Sequence, residues 1–153
     1  MQDLSSYNQG DRQRALVALR TLSLDDCNKV QLWENHKQRT ILLKSAAITE
    51  PSSSTRIEAL HTLKNIAFSC EVNMFDSVNP IITDAVLDTH PQIVALGVGL
   101  LYNLSLHKHN QIVMYEQHCW TLANIVTEHT QCTAYKTLRR LTEHPDNRHR
   151  YYT

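Results

Sequence analysis

The sequence predicts an all-α, right-handed superhelical solenoid in which residues 1–153 form one domain of about three repeats plus partial terminal helices, and three observations carry that reading. Glycine and proline are scarce, 3 and 4 in 153 residues, which leaves little turn chemistry for a β sandwich or barrel. Apolar residues recur at the spacing of helix faces rather than in alternation. A nine-residue phrase is also written twice, NKVQLWENH at 28–36 and NQIVMYEQH at 110–118. Asn28, Glu34 and His36 return unchanged as Asn110, Glu116 and His118, while Val30, Leu32 and Trp33 return as Ile112, Met114 and Tyr115.

The phrase belongs to a longer repeat. Leu22 precedes Asn28 by six positions, and the same offset joins Leu104 to Asn110 and Leu141 to Asn147. A further copy, ALHTLKNIAFSCEVNMFDS, carries Ile66 at the landmark position and is two residues shorter before its aromatic. The landmarks Leu22, Ile66, Leu104 and Leu141 are 44, 38 and 37 residues apart. Helical periods of roughly 40 residues stack into solenoids, because each unit needs its neighbour to cover its apolar face.

The elements follow in order. Leu16, Leu19 and Leu22 form a first helical stripe, a short helix carries Trp33, and Ile41-Leu42-Leu43 with Ala46-Ala47 marks another. TEPSSST at 49–55 reads as a polar loop whose extra length explains the longer first period, since loop closure costs grow slowly with length. Thr55 to Glu58 fits a capping box opening the stripe Leu60, Leu63, Ile66. Phe75 carries the next short helix, and Asn79-Pro80 is expected to open the helix of Ile81, Ile82, Ala85 and Val86, with proline in a first turn that needs no donor. His90-Pro91 opens the stripe Val98, Leu101, Leu104 in the same way. Tyr115, then Leu122-Ala123 with Ile125-Val126, then Leu141, His144-Pro145 and Tyr152 complete the series. An aromatic at this spacing is expected in the core, wedging each short helix onto its neighbour.

Fifteen Lys+Arg balance fifteen Asp+Glu, so no global field favours nucleic acid or a membrane surface. No apolar run approaches the ~20 residues of a membrane span, and MQDLSSYNQGDRQR contains no signal-peptide core. Cys27, Cys70, Cys119 and Cys132 are scattered and read as reduced thiols, which places the expected location inside the cell, in the cytoplasm with the nucleus also open.

VGLLYNLSLHKHNQIVMYE resembles the armadillo repeat, and nearly the whole chain follows that pattern in an armadillo- or HEAT-like arrangement. The resemblance implies third helices at about 12–23, 55–68, 91–106 and 131–142. It implies first helices beginning near 27, 70, 109 and 146, and second helices near 38, 80 and 119. Armadillo repeats usually place Gly between first and second helix; this chain has His36, Val78 and His118 there, which implies a less tight turn. A weaker similarity, in ALHTLKNIAF and QIVALGVGLLYNLSLHKH, is to the PUL domain, an armadillo-like module that binds the C-terminal tail of a ubiquitin-dependent AAA ATPase.

The armadillo resemblance implies a non-catalytic scaffold that binds a protein or peptide along its third helices, where an Asn ladder grips an extended backbone. Mapped by position, that ladder is Thr21, Asn65, Asn103 and Arg140, and the row one turn earlier is Val17, His61, Gly99 and Lys136. With no Trp in that row, recognition of a basic nuclear-import signal is not expected. The candidate groove residues are therefore Thr21, His61, Asn65, Asn103, Lys136 and Arg140. An amide can both donate to and accept from a peptide bond; a solvated face or an inter-repeat hydrogen bond is the alternative role for Asn65 and Asn103. Lys136, Arg139, Arg140, Arg148 and Arg150, with Tyr151 and Tyr152, make the C-terminal end basic. That suits an acidic peptide or a terminal carboxylate, or simply a solvated helix end favoured by the helix dipole.

No nucleophile elbow or phosphate-cradling loop is written here, and no cofactor or catalytic residue is expected. His107 and His109, expected on an exposed loop, and adjacent His118-Cys119 lack the spacing of zinc ligands. The chain opens on one third helix and stops in a first helix, so end-to-end self-association or membership of a longer array is expected, with residues 1–10 as a partial polar cap.

Overall fold

The structure, a computed structural model, describes residues 9–69, 72–125 and 130–151. Residues 1–8, Cys70, Val126 and Tyr152 lie outside the described residues. The described residues form helices α1 (Gln9–Leu22), α2 (Asp26–Glu34), α3 (His36–Ala46), α4 (Ser53–Ala67), α5 (Phe75–Val86), α6 (Pro91–Leu104), α7 (Lys108–Ala123), α8 (Gln131–Glu143) and α9 (Pro145–Tyr151), with no strand among them. Helices α1, α4, α6 and α8 pack successively side by side; α3 backs onto α4, α5 onto α6, and α7 onto α8. The helices expected at about 12–23, 55–68, 91–106 and 131–142 correspond to α1, α4, α6 and α8.

The core lies between these two layers. Leu16, Leu60, Leu63, Ile66, Val98, Leu101, Leu104 and Leu141 are fully buried, as their stripes require. Leu22 is the exception at 48% exposed, because no described helix lies on the outer side of α1. Trp33 and Phe75 are buried, and Tyr115 packs against the core half-buried. Close approach of α5 and α6 depends on Gly97: a Cβ there would sit 3.0 Å from Ala85 Cβ and 3.3 Å from the Val86 backbone nitrogen.

The repeated phrase has a hydrogen-bonding reason. Each landmark residue lies in the last turn of a helix, where the final carbonyls have no intrahelical donor. The Asn six residues on turns back to fill that need: Asn28, Asn110 and Asn147 donate Nδ2 to the carbonyls of Leu22, Leu104 and Leu141 at 3.1, 3.1 and 2.8 Å. The second copy has Val72 at the equivalent offset, buried in the core.

The two copies of the phrase nevertheless fold differently. Residues 28–36 break between α2 and α3, as expected, but residues 110–118 run unbroken through α7, so the separate first and second helices expected there are one helix. Asn35 makes the difference. It sits in extended backbone (φ −69°, ψ 108°) and its side chain accepts from Gln38 N at 3.0 Å, capping α3. The second copy has Gln117 at that position, a good helix former without Asn's preference for the cap. Asn35→Ala is expected to lower stability by about 0.5–2 kcal/mol, measurable by urea denaturation, and Gln117→Ala by less.

Three local expectations are corrected. The N-cap of α4 is Ser52, whose Oγ accepts from Thr55 N at 3.3 Å; Thr55 itself is a fully buried helical residue, and the loop ends at Ser52. Glu58 is drawn away from any capping role by Arg20, 3.0 Å distant. Pro80 lies inside α5 rather than in its first turn, because the helix already begins at Phe75. His90-Pro91 and His144-Pro145 behave as expected, each histidine Nδ1 accepting the N–H two residues on, at 3.2 and 3.3 Å.

Candidate protein-interaction face

The residues mapped onto the ladder lie one position before each landmark, and three of the four bind backward onto the preceding repeat. Asn65 Nδ2 donates to Ser23 Oγ at 3.0 Å, and that hydroxyl donates to Arg20 O at 2.6 Å. Arg140 Nη1 donates to Ser105 Oγ at 3.1 Å, and that hydroxyl donates to Tyr102 O at 2.6 Å. The second repeat has Ala67 where the first and third have serine, so Asn103 Nδ2 reaches the equivalent carbonyl, Lys64 O, directly at 2.8 Å. Thr21, on the first helix, turns its hydroxyl to Val17 O of its own helix at 3.1 Å. The amino groups of Asn65 and Asn103 are therefore spent on inter-repeat bonds, while their Oδ1 atoms have no partner among the described residues.

The row one turn earlier is open at both ends. Val17 is 38% exposed, His61 half-buried, Gly99 buried and Lys136 exposed. Gly99 lets the Lys64 stem cross it: a Cβ there would meet Lys64 Cε at 3.1 Å. Burial, then the nearby Arg20 and Lys64 charges, hold His61 below the usual imidazole value. Arg140 stacks 4.6 Å above the Tyr102 ring and donates to its hydroxyl at 3.4 Å, which lowers the phenol's pKa. Tyr102, Lys136, Arg139, Arg140 and Glu143 line a cleft of ≈ 250 Å³. Arg148 is exposed, while Tyr152 and the side chains of Arg150 and Tyr151 lie outside the described residues. Ser23, Ser105, Tyr102 and Lys64 were not singled out from the sequence; the recurrence of Ser one residue after a landmark is the signal that could have found the first two.

Ion pairs fix the same register at the opposite end of these helices. Arg12 reaches Glu50 at 3.2 Å and Arg56 reaches Asp88 at 2.8 Å, each arginine ten residues before a landmark and each carboxylate sixteen before the next. His107, on the connection between α6 and α7, is a further tie: it is buried rather than exposed, and its Nε2 donates to Ala67 O at 3.0 Å, whereas His109 is exposed but lies in α7 rather than on the loop. Its ring stacks on His109 at 6.0 Å. No group of three His, Cys, Asp or Glu among the described residues is arranged to hold a metal ion.

His118 is almost fully buried, its Nε2 2.6 Å from Asn79 Oδ1 and its ring edge-on to Phe75. An amide oxygen only accepts, so Nε2 donates. Burial lowers the imidazole pKa from 6.5. A depressed histidine pKa means that the unfolded chain takes up the proton first, so stability falls as pH drops below 6.5. Urea denaturation between pH 7.5 and 5 is expected to show that slope, and His118→Gln to flatten it.

No family model matches the chain, and no curated protein matches it. Among solved structures, it is similar to the crystal structure of an engineered protein from the Northeast Structural Genomics Consortium, with TM-score 0.77 at 16% identity over 94% of this chain. The chain spans 61% of that protein's length. The likeness extends the helical fold and nothing further. No described helix is long and apolar enough to cross a membrane.

Proposed function

We propose that the chain is a non-catalytic, armadillo-like interaction module that binds an extended segment of a partner protein across α1, α4, α6 and α8. The observation that supports it is a continuous face on which Thr21, His61, Asn65, Asn103, Lys136 and Arg140 all reach solvent at least in part, at matching positions on successive helices. Inter-repeat bonds from Asn65, Asn103 and Arg140 hold that face in one arrangement, so binding costs little reorganisation. The free Oδ1 atoms of Asn65 and Asn103 are acceptors suited to peptide N–H groups.

A peptide array probed with wild type and with His61→Ala/Lys136→Ala tests this reading. Neither side chain has a hydrogen-bond or ion-pair partner among the described residues, so the variant leaves the ties intact. Loss of a reproducible set of peptides supports the reading; an unchanged set places binding elsewhere and contradicts it.

A further inference from the structure

The interaction face is electropositive although the chain as a whole has a formal net charge of +0. Along it lie Arg20, Lys64, Lys136, Arg139 and Arg140, against the carboxylates of Glu58 and Glu143. Each carboxylate is already taken: Glu58 pairs with Arg20 at 3.0 Å and Glu143 with Arg139 at 3.1 Å. That leaves three cations uncompensated. The Arg140 guanidinium is bound only by neutral groups, namely Ser105 Oγ, the Tyr102 carbonyl, and the Tyr102 hydroxyl and ring. The Lys64 and Lys136 ammonium groups have no hydrogen-bond or ion-pair partner among the described residues.

Lys64 is on α4, and Lys136 and Arg140 are four positions apart on α8, with α6 packed between the two helices. Lys64 lies over Gly99 of α6, Arg140 reaches from α8 onto Tyr102 of α6, and Lys136 shares the cleft with both Tyr102 and Arg140. Packed helices are about 8–10 Å apart, so the line from α4 to α8 is about 16–20 Å, a length that roughly six extended residues span. An extended segment directs alternate side chains to one side. Acidic residues on that side then meet Lys64 toward the α4 end of the segment and Lys136 and Arg140 toward the α8 end.

We propose that the partner segment is acidic: an extended peptide with Asp or Glu at alternate positions that seats its carboxylates on Lys64, Arg140 and Lys136. This rests on the reading of the face as a peptide-binding surface and specifies its partner's chemistry. The cleft walled by Lys136, Arg139, Arg140 and Tyr102 takes the carboxylate nearest α8, where a guanidinium and an ammonium converge on one space.

The test is fluorescence anisotropy with the full chain and a fluorescein-labelled, end-blocked ten-residue peptide alternating Asp with Val. Its controls are the Asn-for-Asp counterpart and a ten-nucleotide single-stranded RNA. The Asp peptide is expected to bind, the Asn peptide at least about tenfold more weakly, and added salt to weaken the Asp peptide. Lys64→Glu/Lys136→Glu is expected to weaken the Asp peptide at least about tenfold. Lys37→Glu/Lys44→Glu, the same change of net charge on exposed residues of α3, should leave it within about twofold. Equal binding of the two peptides, equal loss in both double variants, or tighter binding of RNA overturns the proposal. The Asp/Asn comparison uses wild type alone and holds even if a charge-reversed variant fails to fold. If the array variant instead loses neutral or basic peptides, the acidic partner is wrong while the peptide-binding face stands.

Discussion

Asp88→Ala is expected to lower the unfolding free energy by about 3–5 kcal/mol, because it strands a buried arginine. Arg56 is 7% exposed along its side chain and Asp88 14%, with Nη1 and Oδ2 2.8 Å apart. The other carboxylate oxygen accepts His90 N at 2.8 Å. That backbone bond first, and the arginine second, hold the Asp88 carboxyl below the ordinary 3.8. The contribution is therefore present above that value and lost as pH falls through the folded one. Arg56 has no slack with which to adapt, since Nε and Nη2 are already buried without partners. Asp88→Asn keeps an acceptor for His90 and is expected to fall between wild type and the alanine variant in urea denaturation.

Arg56→Val/Asp88→Ile should recover most of the loss, because removing both charges also removes their desolvation cost. The protein makes this replacement itself in the next repeat, where the corresponding positions are Val94 and Ile125, both apolar. Arg12 and Glu50 occupy them in the first. If the double variant is less stable than Asp88→Ala, the pair contributes through geometry that apolar packing cannot supply.

Asn147→Ala is expected to cost about 1–3 kcal/mol, the largest loss in a series over the repeated asparagines. Its Nδ2 serves two carbonyls, Leu141 O at 2.8 Å and Gln111 O at 3.1 Å, and the residue is fully buried. Asn110 serves one carbonyl and is 5% exposed, so its loss should be smaller. Asn28 makes the same bond half-exposed, where water replaces the missing donor, and should cost least. Equal losses at all three would show that burial does not set the value of this bond.

The asparagine series also shows what was legible in the sequence. A residue that must return to the same carbonyl in each repeat leaves a fixed offset, and the offset of six between Leu104 and Asn110 can be read without coordinates. Helices α1, α4, α6 and α8 were legible for the same reason, since their apolar stripes repeat. What escaped was decided by single residues at a boundary or by neighbours distant in sequence. Asn35 against Gln117 decides whether a shared phrase is broken or continuous, a one-carbon difference that matching the phrase passes over. Ser52 outcompetes Thr55 as the cap because α4 begins a turn earlier than the capping-box pattern implied.

The candidate face was legible by position and less so by role. Asn65 and Asn103 lie at matching positions on α4 and α6, yet their amino groups tie repeats together, the alternative left open at the outset. Nothing in either residue alone distinguishes the two roles. The distinction came from Ser23 and from Ala67, whose missing hydroxyl sends Asn103 to a carbonyl instead. His107 was expected to be exposed because its partner, Ala67 O, lies forty positions away.

The most direct test of the account is chemical-shift mapping of the ¹⁵N-labelled chain with a peptide selected on the array. The backbone amides of His61, Asn65, Asn103 and Lys136 are expected to shift together and saturate at one affinity, with the Asn65 and Asn103 side-chain amides among them. Shifts clustered instead on α3, α5 and α7, with those four residues unmoved, would contradict it.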